Sequence, residues 1–477
     1  MPFKFFRRHE PEVAPPPAEE AIAVTVTEPA APEPAPVDGF LTYALQLDAQ
    51  RHIKGYKFEW HEASGGANAS DDFRALIRTV ASNLNSGKAG WRLGKLVVYL
   101  DATVEGLVFE ELQALPAKSV VLCLRLDELA DKKNWPALEA LRERGFGIML
   151  CDVEALPEPP PVPVAAPVTV PAQAPAAPEA ADGAEPIEEP EAPDPFGALA
   201  LITHLDVREG RKDMVDRARQ MRGPGKPAIH PIATRIGSWA EFDACAARRL
   251  DAFVRGKEAI MAETKPGAAL QPESVLIIRV MQMIQRNEDV RAIEAALVND
   301  EALTARLLHH INTLTAGHNV EVHSLHHAVA LLGFGPLFRW LSLLLATSTK
   351  ASSLAYMTKK AIMRGRFVEL MGQGTLPADE SNNLFVAGMF SLIDRVLGVP
   401  MEEVLAKVQL PEAVQEAVRT RGGIYGPFVA LAESCEIDAA DAAALATSMG
   451  LSTEKVNASH LAAMAWALDV SPAEVTY

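Results

Sequence analysis

Three apolar runs between residues 96 and 151 decide the fold: Leu96-Val97-Val98-Tyr99-Leu100, Val120-Val121-Leu122-Cys123-Leu124 and Phe146-Gly147-Ile148-Met149-Leu150-Cys151. Each is short and nearly continuous in apolar residues, which suits a strand buried on both faces. Helical stretches lie between them. In Trp135–Arg144, Leu138 and Leu141 stand three residues apart on one face. Strands spaced by helices predict a parallel sheet covered on both sides. The same rhythm resumes in Leu199-Ala200-Leu201-Ile202, Ile229–Ala233 and Phe253-Val254, each expected as a strand.

The two sets of strands are interrupted. Residues 155–197 carry eight acids and residues 9–38 carry seven, with no Lys or Arg in either stretch. Together they hold most of the 35 prolines and 15 of the 17 net negative charges. Proline fixes φ and removes a backbone donor, so neither helix nor sheet propagates through them. Both are expected to be disordered, with polyproline II character. Residues 1–38 read as an N-terminal tail, and 155–197 as an insertion within one α/β domain spanning 39–257. Two half-size domains joined by a spacer are the alternative. The second half, about 60 residues, is short for an independent parallel-sheet domain.

Beyond residue 258 the strand-like runs stop. Ile293, Ala296 and Leu297 share a face, followed by Leu303, Leu307 and Leu308, then by Val329, Leu332, Phe338, Leu341 and Leu345. This spacing predicts an all-α region to the end of the chain. Gly333 and Gly335 break it, and Gly422-Gly423 and Gly450 mark turns.

Composition narrows the class. The four cysteines, Cys123, Cys151, Cys245 and Cys435, form no C-x-x-C pair, which points to a reducing compartment without a disulfide framework. The first ten residues lack the apolar core of a secretory signal. The longest apolar run, around Leu341–Ala346, is too short to span a bilayer. A cytoplasmic protein with no membrane span is expected. The leader Phe3-Lys4-Phe5-Phe6-Arg7-Arg8 reads as solvated; a weak membrane-surface or partner anchor is the alternative. With the two acidic stretches set aside, the remainder is only mildly acidic. No cluster of Lys and Arg suggests a phosphate-binding face, so no nucleic-acid partner is expected.

Longer strings carry a resemblance. Asn299-Asp300-Glu301-Ala302-Leu303-Thr304-Ala305-Arg306-Leu307-Leu308, then Ile311-Asn312-Thr313, then Ser324-Leu325-His326-His327-Ala328-Val329-Ala330-Leu331-Leu332-Gly333 resemble the HDOD domain. Arg364-Gly365-Arg366-Phe367-Val368-Glu369 and Phe385–Ile393 look like the same family, so the resemblance covers 265–475. The N-terminal half is similar to the EAL barrel that precedes HDOD in one group of bacterial signalling proteins. It matches at Gly55-Tyr56-Lys57-Phe58-Glu59-Trp60-His61, Tyr99-Leu100-Asp101, Leu122-Cys123-Leu124 and Leu150-Cys151-Asp152-Val153. Further matches are His204-Leu205-Asp206, Ala233-Thr234-Arg235-Ile236-Gly237 and Val254-Arg255-Gly256. The implied fold is a degenerate EAL-like α/β barrel followed by an all-α HDOD domain.

EAL enzymes hydrolyse cyclic di-GMP with two divalent metals, and hard cations need clustered carboxylates at the ends of barrel strands. By the resemblance, Lys57, Thr234 and Gly237 stand where the family has Glu. Cys123 replaces a Glu, Cys151 an Asp, His204 a Lys and Arg255 a Gln. Only Asp101, Asp152 and Asp206 stay acidic. In the helical half, Ser391 and Leu392 stand where HD hydrolases carry their metal-binding His-Asp pair. The resemblance therefore implies a pseudoenzyme with no catalytic, cofactor or metal-binding residues. Its expected role is signal transduction through protein partners, with the barrel as a docking or homodimerisation platform. A cyclic di-GMP receptor and a weakly active phosphodiesterase are the alternatives.

Three other features have a plain reading beside a sharper one. His309, His310, His318, His323, His326 and His327 cluster, and His323 with His327 would share a helical face as a metal pair. No H-E-x-x-H accompanies them, and surface or capping roles are expected. Cys123 and Cys151 are either buried small apolar substitutes or a thiol pair, to which a redox or zinc site would add His204. Gly333-Phe334-Gly335 follows a helix rather than a strand and is no phosphate loop.

Overall fold

The computed structural model describes residues 38–63, 68–86, 90–153, 155–156, 193–208, 212–220, 229–256, 270–297, 300–315, 322–348, 355–437, 439 and 441–469. Nearly all of the tail and most of the insertion expected at 155–197 lie outside these residues. From Val37 onward the chain is one unit.

Eight strands close a barrel. They are β1 (Gly39–Leu47), β2 (Ile53–Glu62), β3 (Val97–Asp101), β4 (Val120–Arg125), β5 (Gly147–Cys151), β6 (His204–Val207), β7 (His230–Ala233) and β8 (Asp251–Val254). They follow one another around the barrel, and β8 closes onto β1. Strands β2 to β8 run parallel, as expected. Strand β1 runs against both neighbours, because a tight hairpin turns it directly into β2. In that turn Asp48 Oδ1 accepts the backbone N–H of Gln50 at 2.9 Å and of His52 at 2.8 Å.

The strand expected at Leu199–Ile202 is not one. Gly197–Ala200 is a 3₁₀ turn, and the strand begins at His204. Ala198, Leu199, Leu201 and Ile202 are buried there without joining the ladder. A four-residue apolar run satisfies either geometry, and periodicity alone does not separate them.

Helices α1 (Ala69–Leu84), α2 (Leu126–Ala130), α3 (Trp135–Arg144), α4 (Lys212–Gln220) and α5 (Trp239–Ala247) accompany the barrel. Asn68 caps α1 by accepting the N–H groups of Ser70 and Asp71, and Phe73, Leu76, Ile77, Val80 and Leu84 form its buried face. Alternation along each strand sends Val98, Leu100, Leu122, Ile148 and Leu150 outward into the main core. It sends Tyr99, Val121, Cys123, Met149, Ile232 and Phe253 inward to a second core that fills the barrel.

The remainder is helical among the described residues: α6 (Pro272–Gln285), α7 (Val290–Leu297), α8 (Glu301–Thr315), α9 (Leu325–Leu332), α10 (Phe334–Thr347), α11 (Ala355–Gly372) and α12 (Ser381–Phe390). Then come α13 (Ile393–Leu397), α14 (Met401–Val408), α15 (Glu412–Thr420), α16 (Gly426–Ile437), α17 (Ala442–Ser448) and α18 (Thr453–Asp469). Gly333 ends α9 at φ +79°, whereas Gly335 lies inside α10 and breaks nothing.

The two halves meet along β1. Strand β8 pairs only with Leu45, Gln46 and Leu47 of β1, leaving the first part of that strand without a partner on this side. Asn457 of α18 fills the gap. Its Oδ1 accepts the Leu41 N–H at 2.9 Å, and its Nδ2 donates to the Gly39 carbonyl at 2.8 Å, both buried. The barrel seam is thus sealed by a helix of the other half. Asn457→Ala should cost about 2–4 kcal/mol, because each buried group left unpaired costs about 1–3 kcal/mol. Urea unfolding of the full chain checks this, and hydrogen exchange at the Leu41 amide should quicken alongside. A stability unchanged within error, with Leu41 still protected, contradicts the seal.

Candidate functional site

The same alternation builds a site at the C-terminal ends of the parallel strands. Lys57 and Glu59 of β2, Asp101 of β3, Cys123 and Arg125 of β4, Cys151 of β5 and Asp206 of β6 face the barrel axis. With Asp152, Thr234, Arg235, Gly237 and Arg255 they line a cavity of about 980 Å³. Of the residues expected there, the structure brings together all but one. His204 opens β6 rather than ending it, because that strand is only four residues long and its mouth end is Asp206-Val207. Its ring turns into the barrel, edge-on to Tyr99 with centroids 5.6 Å apart, and its Nδ1 lies 2.8 Å from Thr203 Oγ1. Burial, and then His230, lower its pKa to about 4, so it is neutral near pH 7.

The acids of the mouth are already paired. Lys57 Nζ lies 2.9 Å from Asp101 Oδ1 and 3.9 Å from Glu59 Oε1. Arg255 pairs with Glu59, and Arg235 with Asp152. Asp206 is buried; it accepts hydrogen bonds from the Thr234 hydroxyl and, at 3.2 Å, from the Asp152 N–H. Burial raises its pKa, while Thr234, Lys57 and Arg208 pull it back. Burial pulls the Lys57 pKa down, but Cys123, Asp101 and Cys151 outweigh it and push the ammonium pKa up. A hydrogen bond to Cys151, followed by burial, pushes the Cys123 thiol well above its usual range. Gly237 is exposed, and its N–H donates to Glu241 at 2.7 Å beside the Ser238 cap of α5.

The donor set at the mouth is mixed, whereas hard divalent ions take oxygen ligands. An ammonium stands among the carboxylates, two positions carry sulfur, and Thr234 and Gly237 bring no charge. Among the described residues, no three His, Cys, Asp or Glu side chains are grouped to hold a metal.

In the helical half, Ser391 is buried and its Oγ accepts from Arg364 Nη1 at 2.9 Å. Arg364 also makes a two-pronged pair with Glu436 at 2.9 and 2.6 Å and reaches Glu433 at 2.9 Å. Lys360 Nζ adds a contact to Glu436 at 3.2 Å. This buried ionic group was invisible in the sequence, because Glu436 lies 72 residues beyond Arg364. The histidine pair is overturned. Helix α9 starts at Leu325 under the Ser324 cap, so His323 precedes it and shares no helical face with His327. The side chains of His309 and His310, and all of His318, lie outside the described residues.

Residues 270–418 match the family model described as the HDOD domain. Over those residues the helical half matches the HDOD domain, and ahead of it stands the closed eight-stranded barrel. The chain is 22% identical over 450 residues to "Cyclic di-GMP phosphodiesterase CdgJ" of Vibrio cholerae, covering 91% of this chain and 94% of that protein. It is 23% identical over 158 residues to "Uncharacterized protein YuxH" of Bacillus subtilis, covering 32% of this chain and 38% of that one. Among solved structures, the chain is similar to "Klebsiella pneumoniae BlrP1 pH 9.0 manganese/cy-diGMP complex", with 14% identity and a TM-score of 0.29 over 46% of this chain and 55% of the other. Among the described residues, no helix is long and apolar enough to cross a membrane.

Proposed function

We propose that the chain is a non-catalytic regulator in cyclic di-GMP signalling, working through protein partners on a barrel that has lost its metal chemistry. One observation carries this reading: the Lys57 ammonium, 2.9 Å from Asp101, takes the middle of the carboxylate set that two divalent ions would need. Two-metal hydrolysis requires ions that hold both the attacking and the leaving oxygen. A fixed ammonium supplies charge but activates no water. The proposed division is a tail at 1–38, the barrel at 39–257 with an insertion at 155–197, and the HDOD domain at 265–475. The HDOD domain would present the partner surface, and the barrel a docking or dimerisation platform. A cytoplasmic location, suggested by the four free cysteines, belongs to the same proposal.

Binding without turnover is the second reading. The cavity of about 980 Å³ with Arg125, Arg235 and Arg255 in its lining favours it. The test uses the purified full chain with cyclic di-GMP and Mg²⁺ or Mn²⁺. No linear dinucleotide should form, and its appearance at the usual rate of a metal-dependent hydrolase would refute the proposal. Calorimetry with cyclic di-GMP in the presence of a chelator separates the two readings. Heat of binding supports the receptor, and none supports a purely protein-directed role.

A further inference from the structure

Three sulfur atoms gather on the floor of the barrel mouth. Cys123 and Met149 are direct neighbours across β4 and β5, and both side chains point inward. Cys123 Sγ lies 4.0 Å from Met149 Sδ. Cys151, two residues further along β5, turns to the same side and packs against the core that holds Cys123 and Met149. Its Sγ lies 3.9 Å from the Met149 carbonyl oxygen. Cys123 and Cys151 both line the open cavity, so the group has a route to solvent.

We propose that Cys123, Cys151 and Met149 form a three-coordinate site for a soft monovalent cation, cuprous ion being the natural occupant. Two thiolates and a thioether select such ions over hard ones. The spacing agrees: sulfurs bonded at about 2.3 Å around a trigonal centre stand about 4.0 Å apart, which is the Cys123–Met149 separation. Zinc would want a fourth ligand, and the His204 ring is turned away to Tyr99 and His230. Binding releases the two thiol protons and leaves one net negative charge on the metal and its sulfurs. The Lys57 ammonium lines the same cavity as both cysteines and would balance that charge. Affinity should accordingly rise with pH.

The test is independent of whether the chain hydrolyses nucleotide, since it reads metal binding alone. Cuprous ion is delivered anaerobically to the reduced full chain from its bicinchoninate complex. One equivalent should transfer, and transfer should be lost in Cys123→Ser and in Cys151→Ser. The volume-conserving Met149→Leu should weaken binding by at least about tenfold, the scale on which supporting groups tune a metal site. Circular dichroism confirms that each variant is folded. X-ray absorption on the unmodified protein gives a reading that needs no variant: three sulfurs at about 2.3 Å. No transfer, transfer that survives either Cys→Ser change, affinity unchanged in Met149→Leu, or a shell with fewer than three sulfurs overturns the proposal.

Discussion

Glu436→Gln should destabilise the chain by about 3–5 kcal/mol, the usual cost of removing one partner from a buried ion pair. Glu436 is buried with Arg364 and Lys360, whose side chains are 0% and 2% exposed. Without its carboxylate, two desolvated cations would share only Glu433, which is a quarter exposed. Burial favours the neutral acid, but Arg364 and then Lys360 overcome it and hold the Glu436 pKa at about 2. A carboxylate depressed from its ordinary 4.5 stabilises the fold above that value. It gives that stability up as pH falls toward 2, so acid unfolding in this window should be blunted in the variant. Lys360→Met is the contrast. Burial already lowers the Lys360 pKa, and its loss leaves the two-pronged Arg364–Glu436 pair intact. A clearly smaller cost than that of Glu436→Gln is expected, because Glu436 keeps both of its hydrogen bonds to Arg364 and no buried charge is left unpaired. Denaturant midpoints of the two variants decide the matter. Equal costs would show that the ionic group contributes nothing specific.

Gly388→Val should disrupt the packing of α11 against α12 and lower the stability of the helical core. Helices α11 and α12 cross where Gly365 and Gly388 face each other. A Cβ on Gly388 would stand 2.8 Å from the Arg364 carbonyl oxygen and 2.9 Å from Val368 Cβ. A Cβ on Gly365 would stand 2.9 Å from the Phe385 carbonyl oxygen. These neighbours are backbone and near-backbone atoms, which cannot swing aside. Overpacking costs about 1–3 kcal/mol for added methylenes. The helix-propensity gain over Gly, at most about 1 kcal/mol, does not offset it. Pushing α11 outward also moves Arg364 off Glu436, so the two costs compound. Gly398→Ala is the control: it has φ +68° and nothing within 4 Å of its Cβ. It should lose only the left-handed penalty, about 1–2 kcal/mol. Soluble yield and thermal midpoint read both changes. A Gly388→Val protein that melts with the unmodified chain would contradict this packing.

Much of the fold was legible because its signals are local. The runs at 96–100, 120–124 and 146–151 became β3, β4 and β5, and Trp135–Arg144 became α3 with the same ends. Strand β1 was not legible. Its buried Thr42 and Gln46 spoil an apolar run, and they are tolerated because they face the barrel interior with partners. Its reversed direction is a property of pairing, which periodicity does not encode. The turn at Gly197–Ala200 passed for a strand because burial, not pairing, set its composition.

The mouth shows the same division. Which residue types stand there followed from the resemblance to the EAL barrel, string by string along the chain. Who neutralises whom did not. Arg235 meets Asp152 across 83 positions and Arg255 meets Glu59 across 196. Met149 is indistinguishable from ordinary strand filling in the sequence, and only the fold sets its sulfur beside Cys123. Asn457 and His460 carried no signal at all, although Asn457 clamps β1 and His460 stacks on Phe367 with centroids 4.4 Å apart.

Lys57, Arg235 and Arg255 are paired with acids that a divalent pair would need. Mn²⁺ is the direct probe, because its paramagnetic resonance signal counts the free ion in the presence of the full chain. No site tighter than millimolar is expected, and no change when Asp101 is replaced by Asn. Two manganese ions held per chain at micromolar concentration, and released by Asp101→Asn, would contradict this pairing.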